Sequence, residues 1–577
     1  MLVRLSALCR SLPARSLIFA SAVAGGACVV IVLLMLTGGP PAEQAAAQRF
    51  VTAWSKGDYA TMHAELSAAD RRAMPLRRFT AGFRAAASTA TATRFSHGEI
   101  SGPDDDVVSV PMTVVTRVFG TLRAKLRLTF TGSDDARRIA WSPSLVFPGL
   151  TAGDRLSRST RLPRRADILA RNGTPLAQGE GRTSPIPDVA NSIVGTLEPP
   201  ARERLPRLHE LGYPEDVRVG ARGLERVFEE RVAGRPGGEL RAGTRLLAKT
   251  EPRPATAVKS SIDPAVQRAA VAAQGARLGG VAAVRPRTGE ILALTGIAFS
   301  GLQPPGSTFK IITLTGVLEH RLAGLNSKYP VETKATIEGV ELENANGETC
   351  GGTLRYSFAH SCNSVFAPLG TRLGADLLVE TAEKFGFNTD PGIPGAATST
   401  IPRSSEIGDG LAVGSSAIGQ GKVLATALQM AWVAATIAGR GRRPQLTLER
   451  GLPPKRTQAV PARIARTVGS LMESVVKDGT GGRAAIAGVR VAGKTGTAEL
   501  RDTSTPDCAP SADPAAAPCP PAEPDDPTDT DAWFAAYAPA GAPRVAVGVL
   551  LVEAGAGGDT AAPVAQQVMR AGLKATR

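Results

Sequence analysis

The sequence has few of the residues on which several common chemistries depend. Its 577 residues include only five histidines and six cysteines. No His-Glu-x-x-His pair or Cys-x-x-Cys frame occurs, so we predict no metal site. No Gly-x-Ser-x-Gly elbow occurs either, and we recognise no Walker or dinucleotide loop. We therefore expect no nucleotide and no other cofactor.

Aromatic residues are also scarce, at 4% of the chain, although the net charge is +15. A nucleic-acid groove needs aromatic side chains interleaved with basic ones, so we predict no nucleic-acid partner. The positive charge indicates either an anionic partner, such as a membrane surface or cell-wall polymer, or simply an arginine-rich composition. Hydrophobic residues make up 43% of the chain, which is typical of globular domains.

An uncharged apolar run from Leu17 to Leu36 follows three arginines near the N-terminus. Its length matches a bilayer, which predicts a single transmembrane anchor at 17–36, a cytoplasmic tail at 1–16 and an extracytoplasmic remainder. A cleaved signal peptide and a lipoprotein signal at Cys28 are the alternatives. We favour the anchor because the apolar run continues beyond that cysteine.

Four cysteines lie beyond the predicted anchor, and exported proteins often pair such residues. We predict Cys350 with Cys362 and Cys508 with Cys519, because each pairing closes a short loop. Other pairings and four free thiols are the alternatives.

Composition and periodicity divide the exported part into three regions. Residues 41–150 read as helices followed by alternating strands such as "LRAKLRLTF", a small α+β domain. A mixed region, 151–260, begins with the basic connector "GDRLSRSTRLPRR". Residues 261–577 read as a large α+β domain, an antiparallel sheet covered by helices, with strands near both ends. A Pro, Ala and Asp-rich insertion at 503–531 predicts an exposed loop, which either steers a substrate or partner or is inert.

Ser307 lies three residues before Lys310 in "QPPGSTFKIIT". On a helix these side chains are neighbours, so the amine can take the proton of the hydroxyl, and the helix start favours negative charge there. The alternative is a helix-capping serine followed by a solvated lysine. The same spacing recurs at Ser474 and Lys477, so this motif alone does not distinguish a catalytic serine from a helix-capping one.

Two further motifs occur once each. Ser361 and Asn363 flank one residue in "AHSCNSVF", and "VAGKTGTAE" runs from an apolar strand into Lys494-Thr495-Gly496-Thr497. Taken singly, either motif is equally consistent with a polar or tight turn. His360 is a tempting base beside Ser361, but we interpret it as packed at a helix edge.

The order of the three motifs, with about fifty and then about one hundred and thirty residues between them, resembles the penicillin-recognising serine acyltransferases. The chain resembles class B penicillin-binding proteins in particular, through "VRPRTGEILAL", "SAIGQGKVLATALQMA" and "AWFAAYAP". Upstream, "RRADILARNGTPLA" and "GARGLERVFEERVAGRPGG" are similar to that family's dimerisation module, with Ala166 and Ala170 departing from its pattern. "WSPSLVFPGL" ends a region similar to the nuclear-transport-factor-like N-terminal domain.

The resemblance implies a peptidoglycan D,D-transpeptidase, inhibited covalently by β-lactams. Ser307 would attack the carbonyl of the penultimate D-alanine of a stem peptide, with Lys310 as the general base. Ser361 would relay the proton to the departing D-alanine. Asn363 would bind the peptide backbone and help hold Lys310.

The same resemblance implies that Lys494, Thr495, Gly496 and Thr497 bind the terminal carboxylate. The backbone N–H groups of Ser307 and Thr497 would form the oxyanion hole. Expected partners are stem peptides, β-lactams, the cytoplasmic membrane, a glycan polymerase and elongation or division proteins. A D,D-carboxypeptidase and a β-lactam sensor or inactive scaffold are the alternative functions, because they share these motifs.

Overall fold

The computed structural model describes residues 41–133, 137–499 and 529–576. These residues form two compact units. The first contains the described residues up to Pro163 together with Ala201–Val217 and Arg235–Arg253. The second contains Arg164–Pro200, Arg218–Gly234 and the chain from Pro254 onward. The mixed region 151–260 thus contributes segments to both units.

The first unit begins with four helices and a four-stranded antiparallel sheet of order β1-β2-β3-β4. The elements are α1 Ala42–Lys56, α2 Tyr59–Ala64, α3 Ala68–Ala73, α4 Leu76–Thr89, β1 Ala92–His97, β2 Val107–Thr116, β3 Thr121–Thr131 and β4 Arg138–Ile139. Helix α1 and strand β3 confirm the predicted helix-then-strand order. Strand β3 alternates exposed polar with buried apolar residues, because one face of the sheet covers the core.

Aromatic side chains fill this core. Trp54 of α1 and Phe83 of α4 meet edge to face, with ring centroids 4.9 Å apart, and Phe79 lies 4.6 Å from Phe83. A second antiparallel sheet in this unit, of order β11-β10-β5, has the strands β5 Leu156–Arg161, β10 Gly237–Ala242 and β11 Arg245–Thr250.

Short elements open the second unit: β6 Ile168–Leu169, β7 Pro175–Ala177, α5 Pro187–Ala190, β8 Leu197–Glu198, β9 Val219–Gly220, α7 Gly223–Val227, α8 Glu229–Val232 and β12 Val258–Lys259, while α6 Leu205–Leu211 lies in the first unit. Strand β12 pairs in parallel with β6, so Val258 lies beside Ile168. This pairing ties the start of the second unit to the chain that leads into its main sheet.

The main sheet of the second unit is antiparallel and five-stranded, in the order β14-β13-β23-β22-β21. Its strands are β13 Gly279–Val284, β14 Ile291–Leu294, β21 Ala492–Glu499, β22 Thr530–Ala538 and β23 Val545–Leu551. Strands from both ends of the region meet in this sheet, which confirms the predicted antiparallel sheet. Strand β21 forms one edge.

Helices cover both faces of this sheet. The remaining helices of the unit are α9 Pro264–Gln274, α10 Lys310–Glu319, α11 Leu354–Ala359, α12 Asn363–Leu373, α13 Ala375–Lys384, α14 Ser404–Ile407, α15 Gly410–Ala417, α16 Ala427–Ala438, α17 Ala462–Asp478 and α18 Ala561–Ala575. Of these, α9, α16, α17 and α18 pack against the strands of the main sheet. Every residue of α16 is buried, because it lies between the sheet and other helices. A Cβ atom at Gly548 of β23 would lie 2.0 Å from the carbonyl oxygen of Ala427, so only glycine allows α16 to approach so closely.

Small hairpins complete the second unit: β15 Lys328–Glu332 with β18 Cys350–Thr353, β16 Lys334–Ile337 with β17 Val340–Glu343, and β19 Arg442–Pro444 with β20 Arg456–Gln458. The predicted anchor at 17–36 and most of the predicted insertion lie outside the described residues. Within the described ranges, no helix combines the length and the apolar character that crossing a bilayer requires.

Candidate active site

A tight turn presents Ser307. Residues Gly306–Phe309 form a 3-10 turn that leads directly into α10 at Lys310. Gly306 has a φ of 51°, and a Cβ there would lie 2.7 Å from the carbonyl oxygen of Thr497 on β21. Glycine is therefore required where the turn meets the edge strand. Ser307 is partly exposed, and its hydroxyl makes no hydrogen bond within the described residues.

Lys310 is fully buried, so the alternative of a solvated lysine is wrong. Its Nζ donates to the carbonyl oxygen of Ser361 at 2.7 Å and to Oδ1 of Asn363 at 2.6 Å. It also lies 3.4 Å from the Ser361 hydroxyl and 5.7 Å from the centroid of the Phe366 ring. The first and second motifs are therefore in direct contact.

Lys494 reaches the same serine from the edge strand β21. It is fully buried, and its Nζ donates to the Ser361 hydroxyl at 2.8 Å and to the carbonyl oxygen of Thr495 at 3.2 Å. Its Nζ lies 5.6 Å from the centroid of the Phe358 ring. The Ser361 hydroxyl thus lies between two lysine amines, one from each of the other motifs.

Burial changes the acid–base properties of both amines. Burial, together with the nearby charge of Lys494, lowers the pKa of Lys310 well below its usual value. Burial lowers the pKa of Lys494 to about 7. A low-dielectric environment disfavours the ammonium form, and a second ammonium nearby disfavours it further. The neutral amine that a general base requires is therefore more accessible to Lys310 than to an exposed lysine.

The remaining residues of the third motif have defined surroundings. The Thr495 hydroxyl shares a 2.6 Å hydrogen bond with the hydroxyl of Thr480, and the Thr497 hydroxyl accepts from the backbone N–H of Gly557 at 3.3 Å. A Cβ at Gly496 would lie 2.8 Å from the carbonyl oxygen of Pro305, so glycine allows β21 to lie against the turn that presents Ser307.

Sequence reasoning overlooked Thr480 and the backbone carbonyl of Glu343, which accepts from Nδ2 of Asn363 at 2.7 Å. The only local signal for Thr480 is its position between two glycines. A backbone carbonyl is present at every residue, so its role as an acceptor cannot be predicted from the amino-acid sequence. His360 stacks on Tyr356, with ring centroids 4.0 Å apart and an interplanar angle of 24°. This contact is consistent with the predicted packed histidine.

One overlooked pattern needs correction. The letters "GVRVAGKT" at 488–495 match those of a phosphate-binding Walker loop, which the sequence reading did not recognise. The physical context of such a loop is absent at these residues, because Lys494 and Thr495 lie inside strand β21 and not in a loop that opens a helix. The match is a coincidence of letters.

The predicted bridge between Cys350 and Cys362 is confirmed, with Cα atoms 5.3 Å apart. The other predicted pair, Cys508 and Cys519, lies outside the described residues. Cys362 is the middle residue of the second motif, so the bridge joins that motif to strand β18.

Comparison with known proteins agrees with this geometry. The family described as the penicillin binding protein transpeptidase domain matches residues 279–570, and the NTF2-like N-terminal transpeptidase domain matches residues 42–154. The peptidoglycan D,D-transpeptidase PbpA of Mycolicibacterium smegmatis is 32% identical over 437 residues, covering 63% of this chain and 81% of the relative. PbpA of Mycobacterium tuberculosis is 35% identical, with 49% of this chain and 57% of the relative covered.

Solved structures give the same result. The M. tuberculosis PBPA crystal structure is 27% identical with a TM-score of 0.53, covering 71% of this chain and 99% of that one. The ceftriaxone acyl-enzyme complex of penicillin-binding protein A from M. tuberculosis is 27% identical with a TM-score of 0.54, covering 71% and 98%. Lys310 of the first motif and Lys494 of the third both contact Ser361 of the second, in a fold that these structures share. This chain belongs to the class B penicillin-binding protein transpeptidases with an NTF2-like N-terminal domain.

Proposed function

We propose that this chain is a peptidoglycan D,D-transpeptidase that crosslinks stem peptides through an acyl-Ser307 intermediate and that β-lactams acylate at the same serine. One observation carries the proposal. The amines of Lys310 and Lys494 are fully buried, and both lie within 3.4 Å of the Ser361 hydroxyl. This arrangement places a candidate base, Lys310, and a second buried amine, Lys494, on either side of a hydroxyl that can carry a proton.

In the acylation step, the Ser307 hydroxyl attacks the carbonyl carbon of the penultimate D-alanine. Its proton passes to the neutral amine of Lys310, which burial keeps available. The bond between that carbonyl and the terminal D-alanine nitrogen then breaks. The proton reaches the departing nitrogen through Ser361, whose hydroxyl hydrogen-bonds to Lys494 at 2.8 Å.

In the second step, the amine of another stem peptide attacks the acyl-Ser307 ester. The amine loses a proton to the neutral Lys310, a new amide bond forms, and the ester bond to Ser307 breaks. The serine oxygen takes the proton that Lys310 received from the attacking amine, which regenerates the Ser307 hydroxyl and the neutral Lys310. The same chemistry with water as the acceptor gives a carboxypeptidase, so the identity of the acceptor distinguishes the two functions.

We assign substrate orientation to strand β21. Lys494, with Thr495 and Thr497, binds the terminal carboxylate, and Gly496 allows the strand to lie beside the nucleophile turn. An arriving carboxylate favours the charged form of Lys494, whose pKa burial lowers to about 7. The backbone N–H groups of Ser307 and Thr497 stabilise the oxyanion, at about 3 kcal/mol per donor.

The decisive experiment incubates the full-length protein in detergent micelles with a stem-peptide thioester and an acceptor amine, and identifies the products by mass. We expect the crosslinked amide and, separately, covalent labelling by a fluorescent penicillin. Ser307→Ala abolishes both. The matched control is Ser474→Ala, which removes the serine of the second Ser-x-x-Lys spacing and leaves both intact.

Hydrolysed peptide without crosslinked product would identify a carboxypeptidase. Penicillin labelling with neither product would identify a sensor or scaffold. Persistent labelling of Ser307→Ala would show that the nucleophile is assigned wrongly.

We also propose the finer organisation that the sequence indicates. A single-pass anchor at 17–36 holds residues 41–150, 151–260 and 261–577 outside the cytoplasmic membrane as an N-terminal domain, a dimerisation module and a transpeptidase domain. A glycan polymerase and elongation or division proteins are the proposed partners. Protease protection of the tail 1–16 in sealed, right-side-out vesicles tests the topology.

A further inference from the structure

The second motif contains a covalent bond that the proposed chemistry does not use. Its middle residue, Cys362, forms the disulfide with Cys350. Both cysteines are buried, at 0% and 5% exposure. Cys350 opens strand β18, and Cys362 immediately precedes helix α12. The bond therefore fixes the peptide that joins Ser361 to Asn363.

The backbone of Ser361 has an uncommon conformation. Its φ is 64°, in the left-handed region that residues other than glycine rarely adopt. This conformation matters because Ser361 contacts Lys310 through its carbonyl oxygen at 2.7 Å and Lys494 through its hydroxyl at 2.8 Å. Any rotation of the backbone at Ser361 changes both contacts together.

Other contacts hold the same segment from the same side. The Ser364 hydroxyl donates to the carbonyl oxygen of Cys350 at 3.1 Å, and its backbone N–H donates to Oδ1 of Asn344 at 2.9 Å. Asn363 donates to the carbonyl oxygen of Glu343 at 2.7 Å. Two local hydrogen bonds end the preceding helix here, from the N–H of Ser361 to the carbonyl oxygen of Phe358 at 3.3 Å and from the N–H of Cys362 to that of Ser357 at 2.9 Å. The disulfide is the covalent link between this helix end and strand β18.

We propose that the Cys350–Cys362 disulfide is a positioning cross-link for the acylation step. It ties the helix end that contains the left-handed Ser361 to strand β18, so that the carbonyl and hydroxyl of Ser361 stay on Lys310 and Lys494. Without the bond, the helix end at Ser361 shifts and the proton path is weakened, while strand β21 keeps its pairing with β22. The inference rests on the proposed acyl-serine function, and it makes oxidation of these two thiols a requirement for full activity of the newly made chain.

The test measures acylation of the full-length protein by a fluorescent penicillin under stopped-flow conditions, which separates the non-covalent dissociation constant Ks from the acylation rate constant k2. In Cys350→Ala/Cys362→Ala we expect k2 to fall by about tenfold to a hundredfold, the cost of a small misplacement of reacting groups. We expect Ks to stay within about twofold of its wild-type value, because the carboxylate site remains.

Reduction gives a second route to the same state. A dithiol such as dithiothreitol breaks the S–S bond, leaving two thiols on the protein while the reductant becomes a cyclic disulfide. The reduced wild-type protein, desalted under nitrogen, shows the low k2, and re-oxidation restores it. The matched control is the double alanine variant, whose k2 does not respond to the reductant. Cys508→Ala/Cys519→Ala retains the full response.

A purely structural role predicts a smaller labelled fraction with an unchanged k2 in the molecules that do react. That result, or an unchanged k2 with an unchanged labelled fraction, overturns the inference. Failure of the proposed function is distinguishable, because the oxidised wild-type protein would then not be labelled at Ser307 at all.

Discussion

Two clusters of buried charged side chains lie in the second unit, and they differ in whether their cations have carboxylate partners. The first is the arginine–glutamate cluster of Arg165, Arg182, Glu225 and Glu229. Arg165 contacts Glu225 at 2.7 Å and Glu229 at 2.8 Å, and Arg182 contacts Glu225 at 2.7 Å. Burial acts to lower the pKa of Arg165, but hydrogen bonding and the charges of the two glutamates raise it overall.

The second is the two-lysine cluster of Lys310 and Lys494. Their amines contact only neutral oxygens and aromatic rings within the described residues. Without a carboxylate, burial is uncompensated, and the pKa of each amine falls. Paired buried charge holds segments together, whereas unpaired buried charge makes an amine able to exchange protons near neutral pH.

The largest expected effect comes from removing the base. Lys310→Met lowers the rate of penicillin acylation by about 10²-fold to 10⁴-fold, the usual contribution of a general base. The variant also removes the donor to the Ser361 carbonyl and to Oδ1 of Asn363, so its melting temperature is measured alongside to confirm that the rate loss occurs in folded protein. Labelling kinetics and thermal unfolding measure the two quantities.

Lys477→Met is the control for that experiment, because Lys477 belongs to the second Ser-x-x-Lys spacing and is 82% exposed. It leaves the acylation rate unchanged. A Lys310→Met protein that still acylates at the wild-type rate would contradict the assigned base.

The next largest effect is on stability and comes from the arginine–glutamate cluster. Arg165→Met leaves two buried carboxylates short of a partner, so we expect the free energy of unfolding to fall by about 3–5 kcal/mol. Urea unfolding measures this loss. Arg483→Met is the control, because its ion pair with Asp559 is 66% and 63% exposed, and such pairs contribute about 0–1 kcal/mol. Equal losses in the two variants would refute the distinction between the clusters.

The smallest effect is a pH dependence of stability. Lys494 has a pKa of about 7 in the folded chain and an ordinary value of 10.5 when unfolded. Below pH 7 both states hold the proton, and between these values only the unfolded state does. The free energy of unfolding therefore rises with pH across this window, by up to about 1.4 kcal/mol per pH unit.

Urea unfolding of the wild type and of Lys494→Met at pH 7, 8 and 9 measures this slope. The variant lacks the Lys494 contribution, so the difference in stability between the two proteins changes with pH. A difference that stays constant would show that Lys494 titrates normally.

Local sequence patterns were sufficient for several features. Alternation in "LRAKLRLTF" predicted β3, and the strands flanking the region from residue 261 predicted the main antiparallel sheet. Those patterns depend on neighbouring residues alone, so they can be read without knowledge of the fold. The short loop between Cys350 and Cys362 likewise predicted their bridge.

Other features depended on distant segments. No local pattern indicated that Thr480 would meet Thr495, or that parts of 151–260 would belong to different units.

The amino-acid order alone specified which residues are chemically able to act: a serine, two lysines, a second serine and an asparagine in three recognisable motifs. It did not specify their ionisation. The pKa of a lysine depends on how much water and charge surround its amine, and at Lys310 and Lys494 those surroundings come from helices and strands far away along the chain. Folding removes the water around these two amines, and this burial lowers their pKa below that of an exposed lysine.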